Sequence, residues 1–174
     1  MIAIRSINLP NITIRRAERE DSDTVFGLIS SLADYEKLEP PTDEARARLL
    51  HDGWPTHGET PKFAAWLAEI RPSVEDDLNG SVIAVAYAIT FETYSTFLAR
   101  PTLYLEDIFV LPEYRGHSVG TTLMNHLIAE TKAHGCGRME WVVLDWNTLA
   151  QDFYRKRGAK HMEDWYCYRL SLGD

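Results

Sequence analysis

The stretch PTLYLEDIFVLPEYRGHSVGTTLM, residues 101–124, constrains the fold more than any other, because the periodicity of its side chains changes from strand to helix inside it. Leu103, Leu105, Ile108 and Val110, with Tyr104 and Phe109, form an apolar run long enough for a buried strand. Only Glu106 and Asp107 interrupt it. Strict alternation sends two adjacent carboxylates to opposite faces, and burying either one unpaired costs several kcal/mol, so a chain that keeps both either solvates or uses them. Pro112 lacks an amide hydrogen and ends the strand. Leu123, Met124, Leu127, Ile128 and Thr131 then recur at helical spacing, which predicts an amphipathic helix whose first turn lies near Gly120. The intervening Arg115, Gly116, His117, Ser118, Val119 and Gly120 form a loop of mostly small residues. Such a loop presents unpaired amides at the positive end of a helix dipole and suits phosphate.

The remaining pattern supports that unit. Ile12 and Ile14 alternate with Arg15 and Arg16 as a first strand, and Glu20, Asp21 and Ser22 open a helix with the stripe Val25, Leu28, Ile29 and Leu32, running to about Tyr35. Pro40 and Pro41 are expected to stop it. Thr42 starts a second helix with Ala45, Leu49 and Leu50 inward, ending near Gly53. A strand follows from Phe63 to about Ile70, then an acidic loop over 71–80 with Asn79 and Gly80 as its turn, then a strand over 81–91. Residues 93–100 read as a surface connection. After the central helix, His134 to Gly137 read as a helix stop, 139–144 as a buried strand, and 147–157 as a short helix ended by Gly158. A last strand is expected over 160–170, with Trp165, Tyr166 and Tyr168.

At 174 residues one domain can bury a core without disulfides or metal. Residues 1–11 read as a loose arm or an added strand, too short and interrupted for a signal peptide or membrane span, and 12–174 as the domain. The 18 basic and 26 acidic side chains give a net charge of −8, which argues against a nucleic-acid partner and favours a cationic one. Cys136 and Cys167 are too few for a disulfide framework, neither lies beside a histidine, and the six histidines lack ligand spacing, so no metal is expected. These features fit a cytosolic protein.

The loop contains neither G-x-G-x-x-G nor G-x-x-x-x-G-K-[ST], and an arginine opens it. It resembles the acetyl-coenzyme A loop of the GCN5-related N-acetyltransferases, Q/R-x-x-G-x-G/A. Arg115 and Gly120 match the ends of that pattern, and Ser118 stands where its middle glycine belongs. Serine is small and can hold phosphate through its hydroxyl, but lacks glycine's freedom at positive φ. Tyr104, Leu105, Glu106 and Asp107 before the loop, Asp145, Trp146 and Asn147 after it, the run from Phe153 to Ala159, and Tyr35 with Glu36 upstream narrow the likeness. Together they resemble the spermidine/spermine acetyltransferases and their thialysine-acetylating relatives.

The resemblance implies an α/β fold with a central mixed, mostly antiparallel, twisted sheet flanked by helices, and a homodimer. It also implies acetyl-coenzyme A as cofactor and direct transfer to a primary amine of a small cationic acceptor, a polyamine, diamine or thialysine-like amino acid. Glu106 would take the amine's proton, and Tyr154 would return one to the coenzyme A thiolate, its ordinary pKa near 10 suiting it to that task. The amides of Ile108 and Val110, flanking Phe109, would pair with the pantetheine arm, and the Ile108 amide could also face the oxyanion. Arg115 through Thr121, with Val119 at the helix start, would hold the pyrophosphate. Asn147 would bond the pantetheine or simply cap its helix. Arg155 to Arg157 would touch phosphate or carry plain surface charge. Tyr35, Glu36, Asp107, Asp145 and Trp146 would line the acceptor's site; Glu39, which the resemblance does not cover, would hold the acceptor's cationic end or lie in water at the helix end. Two other readings stay open, a non-catalytic acyl-coenzyme A sensor and an acetyltransferase for lysines of a partner protein.

Overall fold

The computed structural model describes residues 11–71 and 81–172. The strands are β1 (Ile12–Arg16), β2 (Ala64–Ile70), β3 (Ile83–Ser95), β4 (Arg100–Val110) and β5 (Arg138–Glu140), and the helices are α1 (Ser22–Glu36), α2 (Asp43–Gly53), α3 (Val119–Ala133) and α4 (Thr148–Arg155). The strands form one sheet in sequence order, antiparallel except for the parallel β4–β5 pair. That is the expected mixed sheet. The chain divides into two compact units, Met1–Trp141 and Val142–Asp174. The sheet and α1 to α3 belong to the first, α4 to the second.

Each face of the sheet has its own helix. On one, Val25 and Leu28 of α1 pack with Ala65, Leu67, Tyr87, Ile89 and Phe109 in one buried cluster, joined at its edge by Leu32 and Tyr35. On the other, α3 packs against β4 and β3. There the Trp66 indole donates to the Thr90 hydroxyl at 3.0 Å and meets the His126 ring edge-on at 4.8 Å. Leu123, Met124 and Leu127 of α3 are buried, as the helical spacing predicts, and Val119 is buried with them.

Several boundaries differ from the sequence reading. The first helix ends before Pro40 and Pro41, at Lys37 in the left-handed region, φ 59°. The Leu38 amide donates to the Ala33 carbonyl and the Lys37 amide to that of Asp34, the paired bonds of a Schellman motif. Thr42 caps α2 as expected, its hydroxyl accepting from the Ala45 amide. The expected connection over 93–100 is largely strand: Thr93 pairs with Thr102, Tyr94 with Pro101 and Ser95 with Arg100, leaving a short turn. Cross-strand pairing outweighs the polar composition there. The expected buried strand over 139–144 is reduced to Arg138–Glu140, and Val142, Val143 and Leu144 are exposed. The last expected strand is absent over 160–170, where Trp165 is 74%, Tyr166 82% and Tyr168 90% exposed. An apolar, aromatic run is a strand only when a neighbour completes its ladder, and among the described residues none does. The expected turn at Asn79 and Gly80, and nearly all of the expected arm, lie outside the described residues. Among those described, no helix is long and apolar enough to cross a membrane, and no cluster of His, Cys, Asp or Glu could hold a metal ion.

Candidate active site

The site in the first unit begins with a register shift. Ile89 pairs with Asp107 and Thr90 with Leu105, so Glu106 is an extra residue, a β-bulge in β4. Directly paired residues share a face. Thr90 and hence Leu105 look toward α3, whereas Ile89 belongs to the α1 cluster, so the bulge carries Asp107 onto the α1 face. Without it Asp107 would lie on the α3 face. The simple alternation expected for two adjacent carboxylates therefore fails at this point. Glu106 is exposed, and Asp107 is half-buried among groups the sequence left far apart.

Those groups come from three elements. The Tyr87 hydroxyl of β3 donates to Asp107 Oδ2 at 3.2 Å. Glu36, the last residue of α1, lies near enough to raise the Asp107 pKa through its charge. Burial is the main cause, with Glu106 and Glu36 adding to it, and the carboxyl is pushed up to about 6. Burial also raises Glu36, which sits at the negative end of the helix dipole. No cation contributes to either shift. Beside them the Arg115 guanidinium stacks on Tyr35 at 4.6 Å and Phe109 at 5.3 Å, and its Nε donates to the Val110 carbonyl at 2.9 Å. Arg115 thus joins the end of β4 to the last turn of α1. Glu39 stands apart from this group, exposed beyond the αL residue that ends α1.

The edge of β4 and the loop after it offer a second set of donors. β5 pairs only with Thr102, Leu103 and Tyr104, so from Leu105 onward no strand among the described residues lies along that edge. The Leu111 amide donates to Val85 on the β3 side, and alternation then directs the Ile108 and Val110 amides to the open edge. Beyond a 3-10 turn at Pro112–Tyr114, the amides of residues 116–120 donate to no protein group among the described residues. Gly116 at φ 81° and Ser118 at φ 65° turn the loop. Ser118 holds the left-handed conformation for which glycine is the default, so the serine keeps the loop's shape at a cost of about 1 kcal/mol. Three free amides ahead of α3, two in its first turn and two on an extended edge fit the diphosphate and amide-bearing arm of coenzyme A. Thr121, in the first turn of α3, adds a hydroxyl.

In the second unit, Asn147 caps α4, its side-chain oxygen accepting from the Ala150 amide at 3.1 Å. Tyr154 lies near the end of that helix, its ring 5.4 Å from that of Phe153. The Arg157 guanidinium covers the Phe153 ring at 3.5 Å and donates to the Phe153 carbonyl, while Arg155 pairs with Asp152 at 2.7 Å. Gln151 anchors the preceding loop through the Asp145 carbonyl, and Trp146 is half-exposed. Cys136 and Cys167 are free thiols; burial, then Glu92, pushes the Cys136 pKa up, away from a nucleophilic thiolate.

One residue of the first unit was not singled out from the sequence. Tyr87 reads as an ordinary core aromatic in the run Val85, Ala86, Tyr87, Ala88, and only the cross-strand register brings its hydroxyl to Asp107.

Comparison with known proteins agrees with this geometry. The profile of the Acetyltransferase (GNAT) family matches residues 24–159. The chain is 36% identical over 162 residues to the thialysine N-epsilon-acetyltransferase of Bos taurus, covering 91% of this chain and 92% of that protein. It is 28% identical to the human spermidine/spermine N(1)-acetyltransferase-like protein 1 over 171 residues, 97% of this chain and 24% of that one. A solved aminoglycoside N-acetyltransferase, AAC(6')-Iy in complex with CoA, superposes with a TM-score of 0.71 at 21% identity over 93% of this chain and 96% of that one, a likeness of fold. The loop, the open strand edge and the extent of the match lead to one conclusion: the chain belongs to the GNAT family and is an acetyltransferase, an enzyme class that takes its acetyl group from acetyl-coenzyme A.

Proposed function

We propose that the enzyme acetylates a primary amine of a small acceptor carrying a second cationic group, such as a diamine, a polyamine or a thialysine-like amino acid. The observation that carries this reading is the pair Glu36 and Asp107, two partly buried carboxyls without a cation, beside an open strand edge. Unpaired buried acids are costly, and a bound ammonium relieves both at once. The thialysine and spermidine/spermine relatives are consistent with such an acceptor.

Acetyl-coenzyme A supplies a thioester carbonyl open to attack by a neutral amine. An alkylammonium with an ordinary pKa near 10.4 must first lose a proton, which costs about 5 kcal/mol at pH 7. Glu106, solvent-facing on the bulge, receives that proton directly or through water. The Ile108 amide donates to the acyl oxygen as negative charge develops on it. As the carbon–sulfur bond breaks, the Tyr154 phenol gives its proton to the departing thiolate. Residues 116–121 hold the diphosphate and Asn147 the arm. A homodimer belongs to the same proposal, as the likeness to the spermidine/spermine and thialysine acetyltransferases implies.

The test is free-thiol release from acetyl-coenzyme A with thialysine, ornithine, spermidine and butane-1,4-diamine, using the unmodified enzyme and Tyr154→Phe. Turnover with at least one of these amines is expected, with kcat falling about a hundredfold or more in the variant and coenzyme A affinity unchanged. Unchanged kcat in the variant would remove Tyr154 from the mechanism. No turnover with any of the amines would remove the acceptor class.

A further inference from the structure

We propose that Tyr87 is a positioning residue for acceptor selection: its buried hydroxyl fixes the Asp107 carboxylate so that the free carboxylate oxygen pairs with the distal ammonium of a dicationic acceptor. This deepens, and rests on, the reading of Asp107 as an acceptor-binding group.

A hydroxyl at a fully buried strand position is unfavourable unless bonded, and a phenylalanine would fill the same space. The Tyr87 hydroxyl has Asp107 as its hydrogen-bond partner. Its ring lies in the cluster formed by α1, β2, β3 and β4, so the hydroxyl is held where β3 places it. Burial first, then the neighbouring Asp107 charge, raises the phenol above its usual range. It therefore stays a donor at every pH at which the protein works, never a third anion. The bond engages Asp107 Oδ2 alone. Oδ1 has no protein partner among the described residues and is not sealed from solvent. One oxygen is thus anchored and the other offered.

The groups that act on Asp107 are Glu36 from α1, Tyr87 from β3 and Glu106 from β4 itself, while Arg115 is stacked on Tyr35 and Phe109. Among the groups that shift Asp107, only the Tyr87 hydroxyl favours its ionised form. Removing that hydroxyl leaves burial and two neighbouring carboxylates unopposed, so the carboxyl holds its proton to higher pH. An uncharged Asp107 discriminates poorly between an acceptor with a second ammonium and one without. A primary amine that lacks the distal charge does not depend on the bond.

The experiment compares unmodified enzyme with Tyr87→Phe, using butane-1,4-diamine and butylamine as acceptors across pH 6–9, together with a carbon-13 NMR titration of the Asp107 carboxyl. In the variant the Asp107 midpoint is expected to rise above about 6 and the acid limb of the diamine KM profile to move up with it. KM for the diamine at pH 7 should rise about tenfold, the scale of one charge-assisted hydrogen bond, with saturating kcat and butylamine KM unchanged. Asp107→Asn, which leaves the Tyr87 ring in place, provides a second variant; in that background Tyr87→Phe should not alter the ratio of the two KM values further. An unmoved midpoint, or an equal KM rise for both amines, overturns the proposal. An unmodified enzyme that acetylates neither amine overturns the underlying reading, and this proposal with it. An active enzyme whose diamine preference survives Tyr87→Phe overturns this proposal alone.

Discussion

Two acidic clusters sit on one sheet and are built in opposite ways. At its β1–β2 edge, Arg15 places Nη1 and Nη2 on Asp21 at 2.6 and 2.8 Å, and Nε and Nη2 on Glu69 at 3.0 and 2.7 Å. Near the bulge, the Glu36 charge adds to the burial of Asp107, which accepts from the Tyr87 phenol, and no cation contributes. The hydrogen bonds from Arg15 hold the Asp21 carboxyl below its usual range, whereas burial raises both members of the other pair. The first arrangement ties a strand edge to the turn that leads into α1. The second stores unfavourable charge at a site open to a ligand, as binding sites do when the missing partner arrives with the substrate.

The signs of the two effects on stability are opposite. Asp21 titrates lower in the folded state, so its contribution is present above the unfolded pKa and is lost as pH falls through the folded one. Asp107 titrates higher in the folded state, at about 6, so its cost grows as pH climbs from about 4 and is complete above about 6. The shift corresponds to about 3 kcal/mol, which residual contact with solvent reduces. The largest effect should follow from Asp107→Asn, which is expected to stabilise the protein by about 2 kcal/mol at pH 8 and by almost nothing at pH 4, as read by urea denaturation. The comparison breaks if the variant is less stable at pH 8. A smaller effect of opposite sign is expected from Arg15→Met, a loss of about 1 kcal/mol at pH 7 that fades toward pH 3 as the Asp21 carboxyl takes up its proton. Equal losses at both pH values would mean that Arg15 acts through packing of its stem.

Much of this was legible in residue order, and the exceptions share a cause. The central strand, loop and helix follow from the periodicity of Leu103 to Thr131, and Thr42 and Asn147 cap the helices they precede. The bulge at Glu106 was not legible, because an extra residue exists only relative to the partner strand. The role of Tyr87 is hidden for the same reason, since only the cross-strand register brings its hydroxyl to Asp107. Val142 to Leu144 and Trp165 to Tyr168 show the converse, strand-like composition without a partner. Ser118 is a third case: its side chain departs from the glycine pattern while its backbone keeps the glycine conformation.

The acids near the bulge, left without a cation, await a second positive charge on the acceptor. The most direct measurement of this is the ratio of kcat/KM for butane-1,4-diamine to that for butylamine, at pH 8 with saturating acetyl-coenzyme A. A preference for the diamine of at least about thirtyfold is expected, the scale of one partly desolvated charge pair. A ratio near one, or a preference for butylamine, would contradict it.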